Sequence, residues 1–154
     1  MRKLYLLMSI LLISIILSGC KTKDNDEITI NYTFKGENEF WDAEYIINGI
    51  EKFEKKNGIL SYHNNTSNLL TVEYRGDLSD LNLVKEVDIS YETSTNSGRS
   101  VDTFNNKQPI TSKEFKLKSE GENTALPDEN EIVTVEIKVD GVSQTLELKK
   151  SDSE

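Results

Sequence analysis

Residues 133–148 read VTVEIKVDGVSQTLEL. Val133, Val135, Ile137 and Val139 alternate with Thr134, Glu136 and Lys138, and after Asp140-Gly141 the chain returns through Leu146 and Leu148. A period of two places the apolar side chains on one face of an extended strand. Asp-Gly between two such runs signals a two-residue turn whose central residues take positive φ. The stretch predicts an antiparallel hairpin with one buried and one wet face.

The same alternation recurs upstream. Ile28, Ile30, Tyr32 and Phe34 alternate with polar residues up to Gly36, and Trp41, Ala43, Tyr45 and Ile47 do so up to Gly49. Asn57-Gly58 predicts a turn pairing 50–55 with 59–63, the competing reading being a single amphipathic helical turn around Ile50 and Phe53. Asn64 to Asn68 reads as a polar loop. Leu70, Val72 and Tyr74 alternate before Gly76, and Val87, Ile89 and Tyr91 follow. Leu78, Leu81 and Val84 are three apart, which fits one helical turn within a connection. Residues 93–100 read as a loop, 101–108 as weakly patterned, and Pro109 is suited only to a strand edge or start. Phe115 and Leu117 mark a short strand, and 119–130 reads as a long polar loop.

Seven to nine short strands, with turns about every 8 to 12 residues and no long helical pattern, predict an all-β fold. The expected architecture is an antiparallel β-sandwich, with a small β-barrel as the alternative. There is no internal repeat and no second domain.

The N-terminus has the parts of a secretory signal. Arg2 and Lys3 precede an apolar run from Leu4 to Leu17, and Ser18-Gly19 leads to Cys20. The run is short for a bilayer-spanning helix, which takes about 20 residues. Leu17-Ser18-Gly19-Cys20 resembles the lipobox of bacterial lipoproteins. The resemblance implies cleavage between Gly19 and Cys20 and a diacylglycerol thioether on Cys20, since two acyl chains anchor stably where one does not. The expected division is a signal peptide over 1–19, a lipidated tether over 20–27, the β-sandwich over 28–150 and a polar tail over 151–154. The location implied is the extracytoplasmic face of the cell membrane.

Removing the two basic leader residues from 18 leaves 16 against 27 acids, a mature charge of −11. Such a surface argues against nucleic acid, which is bound by clustered Lys and Arg. Cys20 is the only cysteine, so no disulfide forms within the chain. His63 is the only histidine and no Gly-x-Ser-x-Gly elbow accompanies it, which leaves a Ser-His-Asp triad and a zinc site without support. Acidic clusters at 24–26, at Asp77 with Asp80, and at Asp128, Asn130 and Glu131 are weak calcium candidates. None follows the twelve-residue calcium loop. No metal and no cofactor is expected. Trp41, Tyr32, Tyr45, Tyr74 and Tyr91 fall in the alternating sets and are read as core or core edge rather than as a stacking platform.

Several further pieces resemble small lipoproteins of low-GC Gram-positive bacteria of the Bacillus and Clostridium kind. They are Phe34-Lys35-Gly36-Glu37 with Trp41, Glu73-Tyr74-Arg75-Gly76-Asp77-Leu78, Ile89-Ser90-Tyr91-Glu92-Thr93, and Val133 to Leu148. The resemblance implies an immunoglobulin-like sandwich on the outer membrane leaflet and supplies no catalytic residues. The expected function is a non-catalytic interaction or ligand-binding module. Its partner would be an envelope protein, a wall polymer or a small ligand. The alternatives are a carboxylate-dependent wall hydrolase and the solute-capturing subunit of a transporter.

Overall fold

The computed structural model describes residues 25–151. The order is β1 (Asn25–Glu37), β2 (Trp41–Lys56), β3 (Ile59–Tyr74), a 3-10 turn (Leu78–Leu81), β4 (Glu86–Glu92), β5 (Ser97–Thr103), β6 (Glu114–Glu122), β7 (Val133–Val139) and β8 (Val142–Lys150). The leader, Gly19, Cys20 and 21–24 lie outside the described residues, as do 152–154.

All pairings are antiparallel, in the order β5-β4-β7-β8-β1-β2-β3-β6. β8 makes the corner. Its residues Val142 to Leu148 pair with β7, and Lys149 and Lys150 then pair with Lys35 and Phe34 of β1. The ribbon folds over there, so that β5-β4-β7-β8 packs on β1-β2-β3-β6, and β5 approaches β6 without a ladder between them. The protein is thus an all-β antiparallel sandwich, nearly closed into a barrel. Its strand order is built on a β1-β2-β3 meander.

The inward faces meet in one core. Phe34, Trp41, Tyr45, Leu70 and Val72 of one sheet pack on Val87, Ile89, Tyr91, Val135, Ile137 and Leu148 of the other. Trp41 is core, with its ring centroid 5.1 Å from that of Tyr74 and 6.1 Å from that of Phe115. Tyr45 and Tyr91 bridge the sheets at 4.9 Å. Both expected turns form: Asn57-Gly58 (φ 55 and 80) and Asp140-Gly141 (φ 48 and 83) have the paired positive φ of a type I′ turn. At the start of the Leu78–Leu81 turn the Asp77 amide donates to Asp80 Oδ2 (3.1 Å), and the Asp80 amide donates to the Asp77 carbonyl (3.0 Å).

Several readings of the sequence are corrected. β1 starts at Asn25, so the last three residues of the stretch read as tether, 25–27, are paired with 52–54 of β2. Gly49 does not end β2 and 64–68 is not a loop. β2 and β3 form one continuous ladder from Trp41↔Tyr74 to Lys56↔Ile59, so the helical-turn alternative also falls. β5 takes up 97–103, read as loop and weak pattern, because an edge strand of small polar residues needs only the β4 ladder and carries no alternation. β6 continues to Glu122 in the stretch read as loop, held by the ladder to Asn65. Lys116, Lys118, Glu114 and Glu120 on this edge supply the charges that discourage strand addition.

One ion pair is bound into the fold. Asp88 is buried on β4, and both its oxygens accept hydrogen bonds at 2.8 Å from Nε and Nη2 of the Arg99 guanidinium on β5. Those hydrogen bonds hold the Asp88 carboxyl below the usual carboxylate range. A depressed folded value means the stabilisation is present above the unfolded aspartate pKa of about 3.9 and is lost as pH falls through the folded value. Asp88→Asn should therefore lower the urea midpoint at pH 7, and its difference from the parent should shrink as pH falls below about 3.9, a comparison that checks the linkage directly.

Candidate functional site

At one end of the sandwich β4 and β7 stop, with Glu92 paired to Thr134, while β1, β2 and β3 run on. Two features result: a polar cavity at the end of the core, and a three-stranded arm beyond it.

The cavity holds about 130 Å³. Tyr45 and Ile47 of β2, Thr66 and Asn68 of β3, Ser119 to Gly121 of β6, and the loops around Thr93–Asn96 and Thr124–Pro127 line it. β3 explains its polarity. Asn64, Thr66, Asn68, Leu70 and Val72 occupy successive positions of one inward face, and all five are buried. The face changes from apolar to amide and hydroxyl where the opposing sheet ends.

Hydrogen bonds fix the walls. Asn68 Nδ2 donates to Ser119 Oγ (3.3 Å), Tyr91 Oη and Ser119 Oγ are 3.2 Å apart, and Asn96 Nδ2 donates to Tyr91 Oη (3.4 Å). Thr93 Oγ1 ties the loop by donating to the Asn96 carbonyl (2.9 Å) and accepting from the Asn96 amide (2.8 Å). On the other side Asn64 clasps the loop after β6. Its Oδ1 accepts from Thr124 N–H (3.0 Å), and its Nδ2 donates to the Thr124 carbonyl (2.6 Å) and to Tyr62 Oη (2.7 Å). Asn123 takes positive φ (54°) to make this turn.

Asn68 Oδ1 is a buried oxygen with no protein hydrogen-bond partner, in a side chain that lines the cavity. Burial first, and the hydrogen bond with Tyr91 second, hold the Tyr45 phenol well above its ordinary pKa, so it stays neutral. Glu120 reaches the wall through its strand, while its carboxylate pairs with Lys118 at 2.7 Å. The cavity is therefore an uncharged surface in which hydroxyls and carboxamides, able to donate and accept hydrogen bonds, stand beside Ile47, Ala125, Leu126 and Pro127.

The residues singled out in the sequence lie elsewhere. His63 is exposed on β3, opposite Lys52. Asp128, Asn130 and Glu131 do not converge. Asp128 Oδ1 accepts from the Asn130 amide (2.7 Å), whereas the Glu131 carboxylate is taken by the Ser94 amide and hydroxyl. Among the described residues no three or more His, Cys, Asp or Glu side chains group closely enough to hold a metal. The densest carboxylates, Glu37, Asp42, Glu73 and Glu114, share one row of the outer sheet face, interleaved with Arg75 and Lys116. Thr66 and Asn68, read as loop, turn out to line the cavity, and Asn64 holds the Thr124 loop beside it. The signal that finds them is phase, because they hold the same parity as Leu70, Val72 and Tyr74.

The arm carries the other exposed chemistry. β2 and β3 extend from Asn48 and Ser67 to the Asn57-Gly58 turn, about 25 Å at the rise of an antiparallel strand. Phe53 and Tyr62 pair across it with ring centroids 5.1 Å apart. Ile59 and Leu60, next to the turn, are 70% and 66% exposed.

Comparison with protein families, with curated proteins and with solved structures gives no match for this chain.

Proposed function

We propose that the protein is a membrane-anchored extracytoplasmic lipoprotein whose β-sandwich is a non-catalytic binding module. Its ligand is a small, uncharged molecule rich in hydroxyl or amide groups. The observation that carries the ligand class is the neutral cavity with the unpartnered Asn68 Oδ1 in its wall. A buried acceptor without a partner costs about 1–3 kcal/mol, which a ligand donor placed against it recovers. The walls offer no charge to balance an ionic ligand. Residues able to form a nucleophile and base pair are not gathered there, which supports binding rather than turnover. Membrane attachment is supported by the lipobox-like Leu17 to Cys20 and by the single cysteine. The solute-capturing alternative calls for the same cavity.

The test is ligand-observed NMR on the full chain, with neutral monosaccharides, polyols and short amides beside phosphate and carboxylate controls. At least one neutral compound should bind, and Asn68→Leu should weaken it about tenfold or more. Binding restricted to anions, or binding indifferent to Asn68→Leu, counts against the assignment. Incorporation of labelled fatty acid that disappears in Cys20→Ser tests the anchor.

A further inference from the structure

The arm points toward the side of the domain at which the described chain begins. β1 starts at Asn25, which pairs with Glu54 of β2, and Glu54 is three positions from Asn57 in the turn. Cys20 precedes Asn25 by five residues, a reach of at most about 17 Å. The turn lies about 10 Å beyond Glu54 in the same direction. A lipid on Cys20 would therefore keep the tip of the arm within reach of the bilayer surface.

The tip has the composition of a lipid contact. Ile59 and Leu60 are successive residues of a strand, so they project from opposite faces of the ribbon. A surface docked on protein would gather its apolar residues on one face, whereas a wedge is apolar on both. Lys55 and Lys56 stand across the turn from them, exposed, and among the described residues neither lies within 4 Å of a carboxylate in an ion pair. The acids Asp26, Glu27, Glu51 and Glu54 lie further back along the arm, Glu54 next to Lys55, with Glu27 paired to Lys52 at 3.2 Å. Two lysines at the far end of the arm, in a domain whose mature charge is −11, stand where anionic headgroups would be.

We infer that the β2–β3 turn inserts Ile59 and Leu60 into the headgroup region of the membrane, with Lys55 and Lys56 at the phosphates. The acyl chains supply the affinity, and the tip sets the orientation, standing the sandwich upright with its polar cavity on the membrane-facing side. The inference rests on the reading of Cys20 as the lipid attachment site.

Trp41 provides a built-in control. It is the only tryptophan, is 1% exposed, and sits at the end of the sandwich opposite the arm. The full chain, expressed with its leader and purified from membranes, is reconstituted into phosphatidylcholine–phosphatidylglycerol vesicles with plain or brominated acyl chains. Leu60→Trp should lose about half or more of its added emission in brominated vesicles, as expected for a side chain roughly 5–10 Å into the interface, while the parent chain with Trp41 alone stays nearly constant. Equal quenching of the two proteins, with both floating on the vesicles, overturns the insertion and leaves the anchor standing. A blue-shifted, unquenched tip that depends on protein concentration overturns it in favour of a second copy at the arm. Failure of the parent chain to float removes the anchor and the insertion together, because the tip is too small to hold the domain alone.

Discussion

Gly36→Val should destabilise the protein by about 3 kcal/mol, lowering the melting temperature by roughly 10 °C. Gly36 lies on the inward face of β1, opposite Ala43, where β8 leaves one sheet and joins the other. A Cβ there would stand 2.5 Å from the Glu147 carbonyl oxygen and 2.8 Å from Leu148 Cδ2. The nearest atom is backbone, so relief requires β8 to withdraw from β1, and the Lys35↔Lys149 and Phe34↔Lys150 pairs are the ones that join the two sheets. The loss should be visible in the urea midpoint. Gly58→Ala makes the comparison. Nothing lies within 4 Å of a Cβ at that position, and its cost is only the positive φ of 80°, about 1 kcal/mol. A Gly36→Val protein as stable as Gly58→Ala would mean that the corner is not where the sheets are joined.

Asn64→Leu and Asn68→Leu should move stability in opposite directions, although the two residues are four apart on one face of β3. Asn64 makes three side-chain hydrogen bonds, two of them to the backbone of Thr124. Leucine leaves those groups unpaired under the loop after β6, a cost of about 2–3 kcal/mol. Hydrogen exchange at the Thr124 amide should accelerate accordingly. Asn68 makes one long side-chain bond, to a Ser119 hydroxyl that keeps its contact with Tyr91, and its own Oδ1 has no protein partner. Its cross-strand neighbour is the buried Ile47. Leucine at 68 removes an uncompensated buried acceptor and extends the apolar face, so stability should hold or rise by about 1 kcal/mol. Ligand binding should be lost with it, the usual trade between a stable core and a functional polar group. If both variants lost stability equally, Asn68 would be structural and the cavity would lose its claim as a site.

The strands that carry the sandwich were legible because each buries one face only. Val133 to Leu148, Ile28 to Phe34 and Trp41 to Ile47 announce themselves by alternation, and Asn57-Gly58 and Asp140-Gly141 by the positive φ their turns require. The polar half of β3 and the edge strand β5 were not legible. Alternation detects hydrophobic contrast, and Asn64 to Asn68 has none, since amides and hydroxyls point both ways. Pairing with β2, which hydrogen-bonds the backbone whatever the side chains, makes these residues a strand. β5 is short, polar and edge-placed, and its existence depends on the ladder offered by β4.

The sequence alone determined the all-β class, the approximate strand count and the Asp140-Gly141 turn, and favoured the Asn57-Gly58 one, because those follow from local period and local backbone chemistry. It also carries the lipobox-like segment, a matter of residue order alone. Only the tertiary structure decided that β8 changes sheets at Gly36, that Asn64, Thr66 and Asn68 face inward around a neutral cavity, and that β1 starts beside the tip of the arm. Each of these depends on which residues, distant in sequence, share a ladder or a buried face. Neither composition nor periodicity encodes that, because it is set by the packing of one sheet on the other.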